Sequence, residues 1–190
     1  MAGAARPTRV KARPPACGTL VSVDGASAGA VMRTAKRLAS AGPGERAGIS
    51  RWDASGIFSE LDAAGPEMER PSVRTFLLLY AADLVFRLRW EIRPALAEGR
   101  RVVAAPYVDT AVALGRASGV DEAWLRSLFE FAPAPADRRY VDSAPATAAG
   151  PGFIEFACRR LMGMESRPAR QDLVTRTRAR LKATRHRSRA

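Results

Sequence analysis

The sequence has only one histidine and two cysteines among its 190 residues. His186 lies near the basic carboxyl terminus, and Cys17 and Cys158 are far apart along the chain. A zinc site needs several such side chains close together, and Ser-His or Cys-His catalysis needs a histidine beside the nucleophile. Both chemistries are therefore poorly supported, and we expect no metal ligand. The cysteines are better interpreted as reduced, buried thiols than as a disulfide framework.

Long hydrophobic runs are also missing. A membrane-spanning helix needs about 18 or more consecutive apolar residues, and no such stretch occurs. The first 16 residues carry four basic side chains but lack the apolar stretch of a signal peptide. We therefore expect a cytoplasmic protein without a membrane partner. The hydrophobic content of 47% is ordinary for one globular domain with a packed core.

Positive charge is present in excess, but it is unevenly distributed. The formal net charge is +12. Residues 1–16 contribute +4 and residues 159–190 contribute +9, whereas residues 17–158 sum to −1. The core is therefore neutral and both ends are basic. We expect a disordered basic segment over 1–16, one domain over 17–166, and a basic helix or tail over 167–190.

Hydrophobic spacing alternates between strand and helix patterns. We predict strands at residues 19–23, 102–105 and, more weakly, 139–142, with no strand assigned between 45 and 70. Helices are predicted after the first strand, at 57–64, from Ser72 to a stop at Gly99 with a kink near Pro94, after an Asp121 cap, and at 153–162. The tail predicts one amphipathic helix followed by a disordered end. This alternation favours an α/β domain with a mainly parallel sheet.

Several segments, in this order and spacing, resemble thymidylate kinase. They are LVSVDGAS at 20–27, RTFLLLYAADL at 74–84, IRPALAEGRRVV at 92–103, YVDTAVA at 107–113, GVDEAWLRSLFEFA at 119–132 and DRRYVDSAPA at 137–146. The resemblance implies a three-layer P-loop kinase fold with a mainly parallel sheet. In the active family, such a protein transfers the terminal phosphate of ATP to thymidine monophosphate with magnesium.

The phosphate-binding loop departs from the family pattern. Asp24, Gly25 and Ala26 match it, but the following glycine, lysine and hydroxyl positions read Ser27, Ala28 and Gly29, and the leading glycine is Ser22. The lysine of a P-loop reaches the outer phosphates and the hydroxyl binds magnesium. Losing preorganised charge of this kind costs on the order of 10²- to 10³-fold in rate.

Three further requirements of the family are not met. Ala105 and Pro106 replace the acid and arginine that end the third strand, and Leu84 replaces a phosphate-gripping arginine. Arg51 matches the family, but Trp52 and Asp53, which follow it, do not. Residues 144–152, where the family has an arginine-bearing lid, contain no charged side chain, so we expect a reduced lid.

The residues left as candidate nucleotide contacts are Asp24, Gly25, Ser27, Gly29, Arg51, Tyr80 and Tyr107. Each also has a plainer interpretation. The Asp24-Gly25 turn is either a residual phosphate site or a strand-to-helix turn that needs a glycine. Tyr80 matches a base-stacking position of the family, yet an aromatic side chain on an apolar helix is usually core. Asp83 and Asp109 are interpreted as solvated carboxylates or helix caps.

Three functions remain open from the sequence. The first is a thymidylate-kinase-like protein that has lost phosphoryl transfer, has no catalytic residue, requires no cofactor, and retains nucleotide or partner binding. The second is an active kinase with rewired phosphate contacts that uses Mg-ATP. The third is a nucleic-acid-associated protein whose basic ends bind the polyanion through counterion release. The long helices also suggest a homodimer.

Overall fold

Four parallel strands form the sheet of this protein. The computed structural model describes residues 18–41, 47–65, 69–141, 152–162 and 167–187. The strands are β1 (Thr19–Gly25), β2 (Gly48–Arg51), β3 (Arg101–Ala105) and β4 (Asp137–Val141), in the spatial order β2-β3-β1-β4. Every strand pairing within the described part of the chain is parallel. The predicted α/β architecture with a parallel sheet is confirmed.

Helices connect the strands and cover the sheet on both faces. Val21 and Val23 of β1 pack with Val31 and Ala35 on one face, whereas Leu20 joins the larger core on the other. This alternation follows from the two-residue period of a strand and gives three layers. The helices are α1 (Ala28–Ser40), α2 (Ile57–Ala63), α3 (Val73–Arg87), α4 (Arg93–Ala97), α5 (Val108–Ala117), α6 (Glu122–Phe129), α7 (Phe153–Met162) and α8 (Arg167–Arg187).

Local sequence signals explain how the helices begin and bend. The Ser72 hydroxyl accepts a hydrogen bond from the Thr75 amide at 3.1 Å, and Asp121 caps α6 in the same way, as predicted. A π-helical turn at Leu88–Ile92 joins α3 to α4, whose first turn contains Pro94. Proline lacks an amide proton, so the hydrogen-bond ladder is interrupted near the predicted kink.

The predictions for three strands need correction. β2 was not predicted, because it is short, lies at the edge of the sheet, and its one buried residue is the polar Ser50. β1 extends two residues beyond the predicted end, to Gly25. β4 begins at Asp137, earlier than predicted, while residue 142 lies outside the described residues.

The basic C-terminal segment forms the predicted helix and packs against the domain. Leu173, Thr177 and Leu181 of α8 are buried, and the Arg176 guanidinium donates a hydrogen bond to the Ala117 carbonyl at the end of α5. The predictions for residues 1–16, for the lid before Gly152 and for a disordered end fall outside the described residues. None of the described helices is long and apolar enough to cross a membrane.

Candidate functional site

A cavity of about 340 Å³ lies where the carboxyl ends of β1, β2 and β3 meet the first residues of α1 and α7. Open α/β sheets bind their ligands at this edge. The walls are mainly apolar, with two charged side chains, Arg51 and Glu155. The lining residues are Gly25, Ala26, Ala28, Val31, Met32, Arg51, Trp52, Ala105, Pro106, Thr110, Gly152, Phe153, Ile154 and Glu155.

β1 continues through residues that the sequence resemblance assigns to a phosphate loop. Asp24 pairs with Tyr140 of β4 and Gly25 pairs with Val141, so the strand extends three residues past Ser22, the position of the leading glycine. The Gly25 amide donates a hydrogen bond to the Thr110 hydroxyl of α5 at 3.1 Å. This amide is therefore already paired inside the protein.

Gly25 is needed for packing at this point. A Cβ atom there would lie 2.8 Å from the Val141 carbonyl oxygen, closer than real Cβ atoms approach. The interpretation of Gly25 as a structural glycine thus has a specific cause, the close approach of β1 and β4.

Asp24 is buried and caps α5 from the neighbouring strand. Its Oδ1 atom accepts hydrogen bonds from the backbone amides of Tyr107 and Thr110, each at 3.0 Å, and from the Thr110 hydroxyl at 2.8 Å. Burial, together with the charge of Asp109, raises the pKa of Asp24 to about 7, although the hydrogen bonds from Thr110 and Tyr107 oppose this shift. Asp24 therefore anchors the helix beside the cavity.

The beginning of α1 is capped by a carboxylate from α7. Ser27 is the N-cap residue, but its side chain makes no capping hydrogen bond. The Ala28 amide instead donates to the Glu155 carboxyl group, which also accepts from the amides of Gly152 and of Glu155 itself. Partial burial raises the pKa of Glu155. Gly29 lies inside the first turn of α1 and does not line the cavity.

The loop after β2 brings Arg51 and Trp52 to the cavity wall. The carboxylate of Asp83, on α3, holds this loop by accepting hydrogen bonds from the Asp53 and Ser55 amides, both at 2.9 Å. Asp83 is fully buried, so its interpretation as a solvated carboxylate is wrong. It anchors the loop that presents Arg51.

The two predicted tyrosines do not line the cavity. Tyr80 is fully buried, its ring centroid lies 4.3 Å from that of Phe153, and its hydroxyl donates to the Tyr107 carbonyl at 2.6 Å. The Tyr107 hydroxyl donates to the Pro133 carbonyl at 2.9 Å, near α6. Of the predicted contacts, the structure brings Gly25 and Arg51 together in the cavity. Nucleotide contact by any of the seven residues stays a prediction.

A buried arginine that the sequence analysis missed lies behind the cavity. The guanidinium of Arg87 donates to the Ser50 hydroxyl and carbonyl, both at 3.0 Å, and to the Pro106 carbonyl at 2.9 Å. It thereby ties together the ends of β2 and β3. Arg87 lies almost one helical turn after Leu84, on the same face of α3, and this spacing is the signal that would have found it.

No family model matches the sequence, and no curated protein matches it either. Among solved structures, the thymidylate kinase from Ehrlichia chaffeensis superposes with a TM-score of 0.62, covering 90% of this chain and 87% of that chain at 12% sequence identity. The chain has the fold of a thymidylate kinase. This likeness confirms the predicted P-loop kinase-like fold, and at this identity it concerns the fold alone.

Proposed function

We propose that this protein is a thymidylate-kinase-like protein that binds a nucleoside or nucleoside monophosphate without transferring phosphate. The observation that carries the proposal is the course of β1. The strand pairs with β4 through Asp24 and Gly25, and the Gly25 amide is bonded to Thr110. A P-loop instead leaves successive amides free to surround phosphate oxygens.

The charges around the start of α1 also support the proposal. Phosphoryl transfer depends almost entirely on positioning and on neutralising the charge of the phosphates. Ala28 stands at the lysine position and supplies no charge, and Glu155 places a carboxylate against its amide. These residues do not fit the phosphates of Mg-ATP.

The end of β3 lacks the polar groups of the reaction as well. Ala105 and Pro106 line the cavity where the family has an acid and an arginine. Both are apolar, so this wall offers neither a ligand for magnesium nor a grip for a phosphate. Four separate parts of the chemistry are thus replaced in the sequence, and the replaced positions Ala28, Ala105 and Pro106 line the cavity.

The remaining features of the cavity suit binding. Trp52 supplies an aromatic wall, and Arg51 supplies a positive charge at the end of β2. A volume of about 340 Å³ lies within the range of small-molecule pockets, about 300 to 1,000 Å³. A nucleoside monophosphate with its base against Trp52 and its phosphate on the Arg51 guanidinium would use both side chains.

A coupled assay of ADP formation tests the loss of transfer. The protein is incubated with Mg-ATP and thymidine monophosphate beside an active thymidylate kinase, and we expect no ADP above the blank. Magnesium-dependent ADP formation that requires thymidine monophosphate and is lost in Arg51→Ala would contradict the proposal and favour the active kinase. Arg51 is exposed, so its replacement should leave the fold intact.

We also propose that the protein forms a homodimer through α3. Leu78, Val85 and Trp90 lie on this helix and its π-helical extension with exposed fractions of 52%, 49% and 62%, and Phe86 is 38% exposed. Leu78 and Val85 are seven residues apart, which places them on one side of the helix, and Phe86 and Trp90 add further exposed apolar surface near its end. Exposed apolar side chains grouped on a surface mark an interaction site.

A further inference from the structure

The first residues of α7 line the cavity and place a carboxylate at the N-terminus of α1. Helix N-termini bind anions because their first amides are unpaired and the helix dipole places positive charge there. In this protein the Glu155 carboxyl group accepts the Ala28 amide at the start of α1. It also accepts the Gly152 amide at the start of α7, as the glutamate of a capping box does. One carboxylate thus serves two helix N-termini.

The fit between α7 and α1 is tight enough to show that this contact is built into the fold. A Cβ atom on Gly152 would lie 2.3 Å from the Ala28 Cβ and 2.6 Å from Glu155 Oε2. Only glycine therefore lets the two helix starts approach this closely. Phe153, the next residue, stacks on Phe76 with ring centroids 5.1 Å apart and fixes the start of α7 in the core.

The rest of the cavity lining carries the opposite charge. Trp52 and Arg51 come from the end of β2, on another strand, and line the same cavity as Glu155. The lining thus has one carboxylate, from α7, and one guanidinium, from β2. A ligand that carries one phosphate can pair it with Arg51, whereas the further phosphates of a triphosphate would meet the negative charge of Glu155.

We infer that Glu155 is a specificity-determining residue that excludes nucleoside triphosphates from this cavity by occupying the anion position at the α1 N-terminus. The inference rests on the proposed binding of a nucleoside or nucleoside monophosphate beside Arg51 and Trp52. It assigns Glu155 a role beyond helix capping. Removing the carboxylate frees the Ala28 amide and ends the charge repulsion, so a phosphate chain gains a place to bind.

Isothermal titration with ATP and, separately, thymidine monophosphate tests this role in four variants. Glu155→Ala removes the carboxylate, Glu155→Gln keeps its shape without the charge, and Gly152→Ala pushes the start of α7 away from α1. Glu60→Ala, which removes an exposed acid on α2, is the control for net charge. Thermal melting of each variant confirms that it is folded.

We expect Glu155→Ala to bind ATP at least about tenfold more tightly than the wild type, which corresponds to about 1.4 kcal/mol. Gly152→Ala should show a gain in the same direction, Glu155→Gln a smaller one because its amide oxygen still accepts from Ala28, and Glu60→Ala none. The inference is overturned if the wild type binds ATP as tightly as Glu155→Ala, or if neither Glu155→Ala nor Gly152→Ala gains affinity.

Thymidine monophosphate separates this inference from the proposed function. The wild type and the Glu60→Ala control should bind it with equal affinity. Absence of binding to any folded variant would contradict the proposed ligand site, while the comparison of ATP affinities would still decide the role of Glu155.

Discussion

Two of the helices that begin beside the cavity, α1 and α5, are capped in the same unusual way, yet with different consequences. Neither α1 nor α5 is capped by its own N-cap side chain. α5 receives the carboxylate of Asp24 from β1, and α1 receives the carboxylate of Glu155 from α7. Asp24 is 1% exposed, whereas Glu155 keeps contact with solvent and lines the cavity.

This difference separates a structural cap from an exchangeable one. No ligand can displace the Asp24 carboxylate without opening the core, because three donors converge on its Oδ1 atom. Glu155 occupies a position that a ligand can reach. Asp24 thus satisfies amides at the start of α5, whereas Glu155 satisfies an amide at the start of α1, the helix that follows β1.

The largest effect should come from deleting the buried cap. Asp24→Ala leaves two amides and one hydroxyl without an acceptor, and we expect it to lower the free energy of unfolding by about 2 to 4 kcal/mol. Glu155→Ala exposes its donors to water and should cost no more than about 1 kcal/mol. Urea unfolding followed by circular dichroism measures both. Equal losses would show that the two caps are alike.

Glycine substitutions test the close approach of β1 and β4 next to the buried cap. A Cβ at Gly25 would press against the Val141 carbonyl, so Gly25→Ala should destabilise the protein by about 1 to 3 kcal/mol. Gly48→Ala, in β2, is the matched control because no atom lies within 4 Å of its Cβ position. It should be neutral or slightly stabilising. If both variants melt like the wild type, β1 and β4 do not approach each other as described.

The pH dependence of stability tests the environment of Asp24. Because the pKa of Asp24 rises from 3.8 to about 7 on folding, the folded protein holds more protons than the unfolded chain between these values. The free energy of unfolding should therefore fall as pH rises through this window, by at most about 1.4 kcal/mol per pH unit. Asp24→Asn cannot titrate and should lack this component. A constant difference in stability between the two proteins from pH 4 to pH 8 would refute the raised pKa of Asp24.

Replacing the exposed apolar side chains on α3 and its π-helical extension should have the smallest effect on the two caps. Val85→Glu and Trp90→Ala should convert a dimer to a monomer in analytical ultracentrifugation, since they remove apolar contacts from the proposed interface. Neither residue lines the cavity, so affinity for thymidine monophosphate should stay within about twofold of the wild type. A wild-type protein that remains monomeric at high concentration would contradict the dimer.

The sequence predicts the scaffold better than the site, for physical reasons. Apolar periodicity and cap residues such as Ser72 and Asp121 act locally, and the helices they predict are present. β2 was not predicted because its buried residue is polar. The caps at Asp24 and Glu155 join residues 86 and 127 positions apart in the sequence, and no local pattern encodes such a contact.

The site was also misjudged where burial decides the role of a side chain. Asp83 and Arg87 are charged residues on an apolar helix, which suggests exposure, yet both are fully buried. Each is stabilised by backbone and hydroxyl partners on the loop after β2 or on the strand ends. Only the folded arrangement shows that these groups hold the loop and the strand ends beside the cavity rather than face solvent.

Amide resonances provide the most direct test that the protein's own groups occupy the phosphate-binding positions. The ¹H–¹⁵N spectrum is recorded while Mg-ATP is added to millimolar concentration, and the signals of Gly25 and Ala28 are followed. Because these amides donate to Thr110 and Glu155, we predict that neither signal shifts in the wild type, whereas the Ala28 signal shifts in Glu155→Ala. Saturable shifts of both signals in the wild type would show that the loop still binds phosphate and would contradict the account.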